Sequence, residues 1–136
     1  KEGMKIYRRT LTYIMGMAFW YTYPQAHITV DYQLSNSMYC TIDNMEVTEE
    51  MLENIKAKMR EIIEQDFKIE KRTMSREEAE RFFEENHTSK GRLQLDLEEK
   101  QEINMCFCAD YFNYLYETIA THTGVTQIKK LKKRAR

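Results

Sequence analysis

The chain contains a single proline, Pro24, and it stands where the hydrophobic period changes. Before it, Ile6, Leu11, Ile14, Met15, Ala18, Phe19 and Thr22 recur near the 3.6-residue helical period. After it, residues 27–34 alternate, with Ile28, Val30, Tyr32 and Leu34 on one face. Proline cannot continue a helix, and it pushes Tyr23 before it toward extended backbone. The pattern predicts one helix over 4–24, then a half-buried strand. A chain that switches period so abruptly must build a core from both helix and sheet.

The remaining segments extend that reading. Ser35-Asn36-Ser37 is turn chemistry, and Met38–Ile42 a second strand, so 27–42 reads as a hairpin. Thr48 caps a helix with Glu49 and Glu50 in its first turn, where the helix dipole favours acids. Met51, Leu52, Ile55, Met59, Ile62 and Ile63 then form an apolar stripe that carries the helix to Gln65. A short strand is expected over Phe67–Met74. Ser75 and Glu78 form a capping-box pattern that opens a helix running to Glu85. Residues 86–100 hold only Leu93, Leu95 and Leu97 as apolar anchors and read as a loop or a broken helix. In the strand Glu102–Cys108, Ile103, Met105 and Phe107 face one way, and Asn104, Cys106 and Cys108 the other. Asp110–Tyr116 is tyrosine-rich, Thr121–Gly124 a turn, and a short strand from Val125 is expected. The order predicts an α+β fold, an antiparallel sheet with helices packed on it.

With 136 residues, 42% of them hydrophobic, the chain can bury one core. Nine Tyr, six Phe and nine Met exclude a disordered polymer. No stretch approaches the roughly 20 apolar residues of a membrane span, so no membrane partner is expected. Three cysteines are too few and odd in number for a disulfide framework, which predicts a reducing, cytoplasmic setting. Lys1 opens the sequence without a signal-peptide pattern, as expected for a piece of a longer protein. Six cations fill the last eight residues: Lys129, Lys130, Lys132, Lys133, Arg134 and Arg136. Setting them aside leaves 15 basic against 22 acidic residues. An acidic body argues against a nucleic-acid platform over the whole surface. The expected organisation is a module over 1–128 and a basic tail over 129–136. That tail reads as a solvated helix end or the start of a linker, and it can also touch RNA.

Glycines stand only at 3, 16, 91 and 124, so neither GxxxxGK[ST] nor GxGxxG can be written. No CxxC or HxxxH spacing exists, and no resident metal or cofactor is expected. Cys106 and Cys108 read as buried structural thiols. Nothing in the spacing pairs Cys40, Cys106 or Cys108 with His27, His87 or His122 as a nucleophile and base. The Asp110–Tyr116 cluster has two readings. Tyr114 and Tyr116 share a face with Phe112, and Tyr111 shares the other with Asn113, which suits either base stacking or a tyrosine-rich core edge.

Three groups of segments, in order, carry a resemblance. They are Arg9-Thr10-Leu11-Thr12-Tyr13 through Tyr23-Pro24; Met38-Tyr39-Cys40 with Val47–Met51 and Ile69–Ala79; and Cys108–Tyr114 leading to Thr123-Gly124. Together they resemble the editing domain of bacterial threonyl-tRNA synthetase, shared with alanyl-tRNA synthetase, over about residues 7–126. That family carries HxxxH in its first helix and CxxxH before its "STG" turn. The register set by Tyr23-Pro24 puts Arg9 and Tyr13 at the first pair, Leu115 and Ile119 at the second, and Asn113 at an acidic position. None of these replacements can hold the family's metal. Tyr7-Arg8-Arg9-Thr10-Leu11 and Ala109–Glu117 are also similar to the N-terminal region of bacterial uridine kinase-like proteins of the phosphoribulokinase/uridine kinase family, although Ala109 and Glu117 depart from its glycines.

The resemblance implies an accessory module that binds a ligand or regulates a P-loop kinase domain in the same chain, with ATP and Mg serving that domain. Expected ligands are a nucleoside, a nucleotide or an RNA 3′ end. Arg9 would fork a phosphate or carboxylate. Tyr13, Tyr114 and Tyr116 would stack a base or ribose and Asn113 would read a polar edge, with Tyr39 and Asp110 also expected at the ligand. Two alternatives stand beside it: metal-independent editing of aminoacyl-tRNA, and a structural dimerisation module. The oligomeric state is open.

Overall fold

The computed structural model describes residues 2–32, 38–85, 102–114, 119–125 and 131–133. They fold into two compact units, Lys1–Phe67 with Ile119–Arg136, and Lys68–Thr118. The class is α+β, with helices packed against small, mainly antiparallel sheets.

The first unit begins with α1 (Glu2–Thr22). Its middle is buried almost all round: Leu11, Tyr13, Ile14, Met15, Met17, Ala18 and Phe19 are each 3% exposed or less. Pro24 follows in a turn, and β1 (Ile28–Tyr32) pairs antiparallel with β2 (Met38–Ile42), Val30 opposite Cys40. The expected turn at 35–37 lies outside the described residues. Asn44 ties this hairpin to the turn before it. Its side chain accepts from the His27 amide at 3.0 Å and donates to the Gln25 carbonyl at 2.7 Å.

Helix α2 (Glu49–Gln65) starts as its sequence dictates. The Thr48 hydroxyl accepts from the Met51 amide at 3.1 Å, and Met51, Leu52, Ile55, Met59 and Ile62 are buried. The helix packs against α1 and against β6 (Leu131–Lys133). Strand β6 pairs in parallel with β2, with Met38 opposite Leu131. Three residues of the basic tail are thus a strand rather than a helix end or a linker. A sheet edge recruits backbone, so side-chain charge gave no sign of it. Val125 ends a 3-10 turn, Thr123–Val125, rather than starting the expected strand, and the residues after it, 126–130, lie outside the described residues, as do 86–100.

The second unit is one sheet with one helix. β3 (Glu70–Ser75), β4 (Glu102–Cys108) and β5 (Tyr111–Tyr114) pair antiparallel in that order. β3 starts later than its apolar pattern suggests, because both backbone groups of Phe67 are taken by Thr123. α3 (Arg76–Glu85) is capped by the Ser75 hydroxyl, which accepts from the Glu78 amide at 3.2 Å. Ala79 and Phe83 of α3 bury against Ile103 and Met105, and Met74, Phe107 and Phe112 extend that core. Phe112 meets the rings of Phe82, Phe83 and Phe107 at 5.5–5.8 Å between centroids. The opposite face of β4 is also closed, since Cys106 and Cys108 are 2% and 1% exposed.

Candidate functional site

Arg9 and Tyr13 lie one turn apart on α1, in the first unit. Arg9 is half-buried. Tyr13 is 3% exposed, so its ring fills the core and presents no face to a base. The stacking expected of it would require the ring to leave its packing. Tyr39 of β2 belongs to the same unit and is half-buried.

The segment from Ile119 to Val125 meets α1 at the residue next to Arg9. Thr10 is fully buried, and its hydroxyl accepts from the Ala120 amide at 2.9 Å while donating to the Ile6 carbonyl at 2.7 Å. Ile119, which the register placed at a family ligand position, therefore sits one residue from α1's Arg9–Tyr13 turn. Next along the segment, the Thr121 hydroxyl and His122 Nδ1 are 3.0 Å apart, and both residues are exposed.

The other end of this segment is fixed to α2. Asp66 caps α2 in the left-handed region, φ 49° and ψ 55°, and turns its amide to the Ile63 carbonyl. That leaves the Ile62 carbonyl for the Thr123 hydroxyl, which donates to it at 2.8 Å. The Thr123 hydroxyl oxygen also accepts from the Phe67 amide at 2.9 Å, and the Thr123 amide returns a bond to the Phe67 carbonyl at 2.9 Å. Gly124 donates to Asp66 Oδ1 at 2.9 Å. A Cβ there would stand 2.5 Å from that oxygen, so only glycine allows this approach. A threonine 61 residues beyond the carbonyl it satisfies thus caps the C-terminus of α2.

The second unit holds the remaining expected residues. Asp110 is exposed in the two-residue β4–β5 turn, beside Ala109 with φ 52°. Asn113 on β5 donates to the Tyr111 hydroxyl at 3.0 Å, as their shared face predicts. Tyr111 is 7% exposed, and burial raises its phenol to about 12. Tyr114 lies on β5, and its side chain is not among those described. Leu115 and Tyr116 lie outside the described residues. Of the seven expected residues six are described, and these divide, with Arg9, Tyr13 and Tyr39 in one unit and Asp110, Asn113 and Tyr114 in the other.

The donor set does not fit a metal. A guanidinium at Arg9, a core phenol at Tyr13 and an alkyl chain at Ile119 are the groups present at three positions that the resemblance assigned to metal ligands. Among the described residues no three His, Cys, Asp or Glu side chains gather around one point. The thiols are equally unsuited to attack. Burial pushes Cys40 and Cys108 up to about 11, and raises Cys106 against the opposing pull of Lys71. An activated cysteine needs the opposite shift.

Sequence reasoning passed over Thr10, Asp66 and Thr123. The available signals were a threonine on the buried stripe of α1, and an aspartate where a helix ends without glycine.

No family model matches the chain. Among curated proteins, it is 32% identical over 133 residues to the threonine–tRNA ligase of Clostridium kluyveri, which is 96% of this chain and 21% of that protein. The threonine–tRNA ligase of Acetivibrio thermocellus is 32% identical over 131 residues, 95% of this chain and 21% of the ligase. That of Symbiobacterium thermophilum is 42% identical over 86 residues, 62% of this chain and 13% of the ligase. The chain spans about a fifth of the length of the two ligases that it matches nearly end to end. Across almost all of its residues, it is similar to one portion of threonine–tRNA ligases.

Proposed function

We propose that this chain is an editing-type module of a threonine–tRNA-ligase-like protein, which engages the aminoacylated 3′ end of a tRNA. One observation carries the reading: end-to-end similarity to a fifth of such ligases. It is supported by the docking of Ala120 on Thr10, which brings the segment holding Ile119 to the α1 turn holding Arg9 and Tyr13. Those are the positions at which the resemblance put the editing residues. Ester hydrolysis there would use water without a resident metal, because these side chains cannot ligate one.

The same replacements favour a second reading, in which the module binds the acylated end and leaves it intact. Arg9 suits a phosphate or a carboxylate, while leucine and isoleucine move no proton. The nucleoside-kinase setting draws no support from the relatives named above, which are all ligases.

The test incubates the chain with a panel of mischarged tRNAs and follows both ester loss and binding. Deacylation above background establishes editing. Binding without ester loss establishes the second reading. Absence of both overturns the assignment to tRNA.

A further inference from the structure

The segment Ile119–Val125 is held at two points, by two buried threonine hydroxyls that belong to different parts of the chain. Near its start, Ala120 donates to Thr10 on α1. Near its end, Thr123 bonds to Ile62 and Phe67 at the end of α2, and Gly124 bonds to Asp66. Thr10 and Thr123 are both 0% exposed. A buried hydroxyl must meet its partners or cost stability, and both of these do so through this one segment. Between the anchors, Thr121 and His122 are exposed.

We propose that Thr10 is a positioning residue for the tRNA-binding site. Its hydroxyl sets the segment Ile119–His122 against the α1 turn that carries Arg9, so the two halves of the site are aligned before ligand arrives. This rests on the function proposed above and goes beyond it, because it assigns a role to a residue that touches no ligand. Inside a helix the Thr10 hydroxyl also donates to Ile6, a carbonyl that already receives a backbone bond from the next turn. Removing the hydroxyl therefore costs the helix little. What it removes is the acceptor for Ala120. A segment held at one end only samples more shapes, and ligand binding must then supply the ordering that the hydroxyl supplied.

The test compares Thr10→Val, Thr10→Ala and Thr10→Ser in the full chain. Valine keeps the shape without the acceptor, alanine guards against a folding failure of valine, and serine keeps the hydroxyl. Two quantities are read: amide hydrogen exchange at Ala120, with Ile55 inside α2 of the same unit as a folding control, and affinity for an RNA minihelix with a single-stranded 3′ end. Valine and alanine are expected to speed exchange at Ala120 at least tenfold and to weaken RNA binding about tenfold, with Ile55 still protected. Serine should keep both within twofold of wild type. A merely structural threonine would move Ile55 protection and affinity together, and that result overturns the proposal. So does wild-type exchange at Ala120 in Thr10→Val, or wild-type affinity despite faster exchange. A wild-type chain that ignores the minihelix instead removes the tRNA reading, and with it the role of Thr10 in binding RNA. The exchange measurement needs no ligand, so the two failures are read separately.

Discussion

Single atoms in this protein carry more than their sequence context suggests. The Thr123 hydroxyl serves the Ile62 carbonyl and the Phe67 amide from a fully buried position. Thr123→Val would strand both groups, and a buried unsatisfied polar group costs about 1 to 3 kcal/mol. We expect a loss of about 2 to 3 kcal/mol, read as a lower urea midpoint with unchanged slope. The buried thiols and phenol make a pH prediction. Cys40 and Cys108 ionise near pH 11 in the fold against 9.0 when free, and Tyr111 near 12 against 10.0. The folded chain therefore holds protons that the unfolded chain releases. Stability from these groups is full below pH 9 and is lost as pH climbs through 11 and 12. Urea midpoints measured at pH 8 and pH 10.5 should fall, and Cys108→Ala should flatten that fall. A midpoint independent of pH over this range would show that the thiols are not desolvated. The buried thiols of Cys106 and Cys108 were legible in the sequence, but the role of Thr123 was not, because a hydroxyl's value depends on which distant backbone it meets.

Elements were legible to the extent that their cause was local. α2 begins at its Thr48 cap and buries the stripe that its spacing predicts. α3 begins at Ser75 for the same kind of reason. β6 could not be read this way, since its pairing with β2 is parallel and about ninety residues distant, and its lysines resemble a solvated run. The start of β3 was misplaced because a tertiary bond to Thr123 holds Phe67 out of the ladder. The β4–β5 turn lies between these cases. Ala109 adopts φ 52°, a left-handed conformation that costs a non-glycine residue about 1 to 2 kcal/mol. Ala109→Gly should relieve the strain and raise stability by about 0.5 to 1 kcal/mol, after the extra freedom of the unfolded chain is counted. Thermal unfolding checks this, and a lowered melting temperature would mean that the alanine methyl has contacts worth more than its strain.

At the scale of the whole molecule, charge limits how RNA can be held. Without the six cations after residue 128, the chain carries 22 acidic and 15 basic residues. Such a body repels a phosphate backbone, and Arg9 alone cannot compensate for it. RNA binding at the proposed site therefore draws its long-range attraction from the tail, where Lys132 and Lys133 enter the sheet through β6. Each phosphate neutralised releases counterions and adds about 0.7 to the salt slope on a single strand. Replacing Lys129, Lys130, Lys132 and Lys133 with glutamine leaves the backbone pairing of β6 available. It should weaken minihelix binding at low salt and flatten the plot of log affinity against log salt by about 2 to 3. Arg9→Ala should behave differently, lowering affinity while changing the slope by no more than about 1. A slope that survives the four substitutions would place the phosphate contacts on the 15 basic residues of the body. Separating the two effects distinguishes an attraction spread along the tail from a contact made at the α1 turn, and the site proposed here requires both.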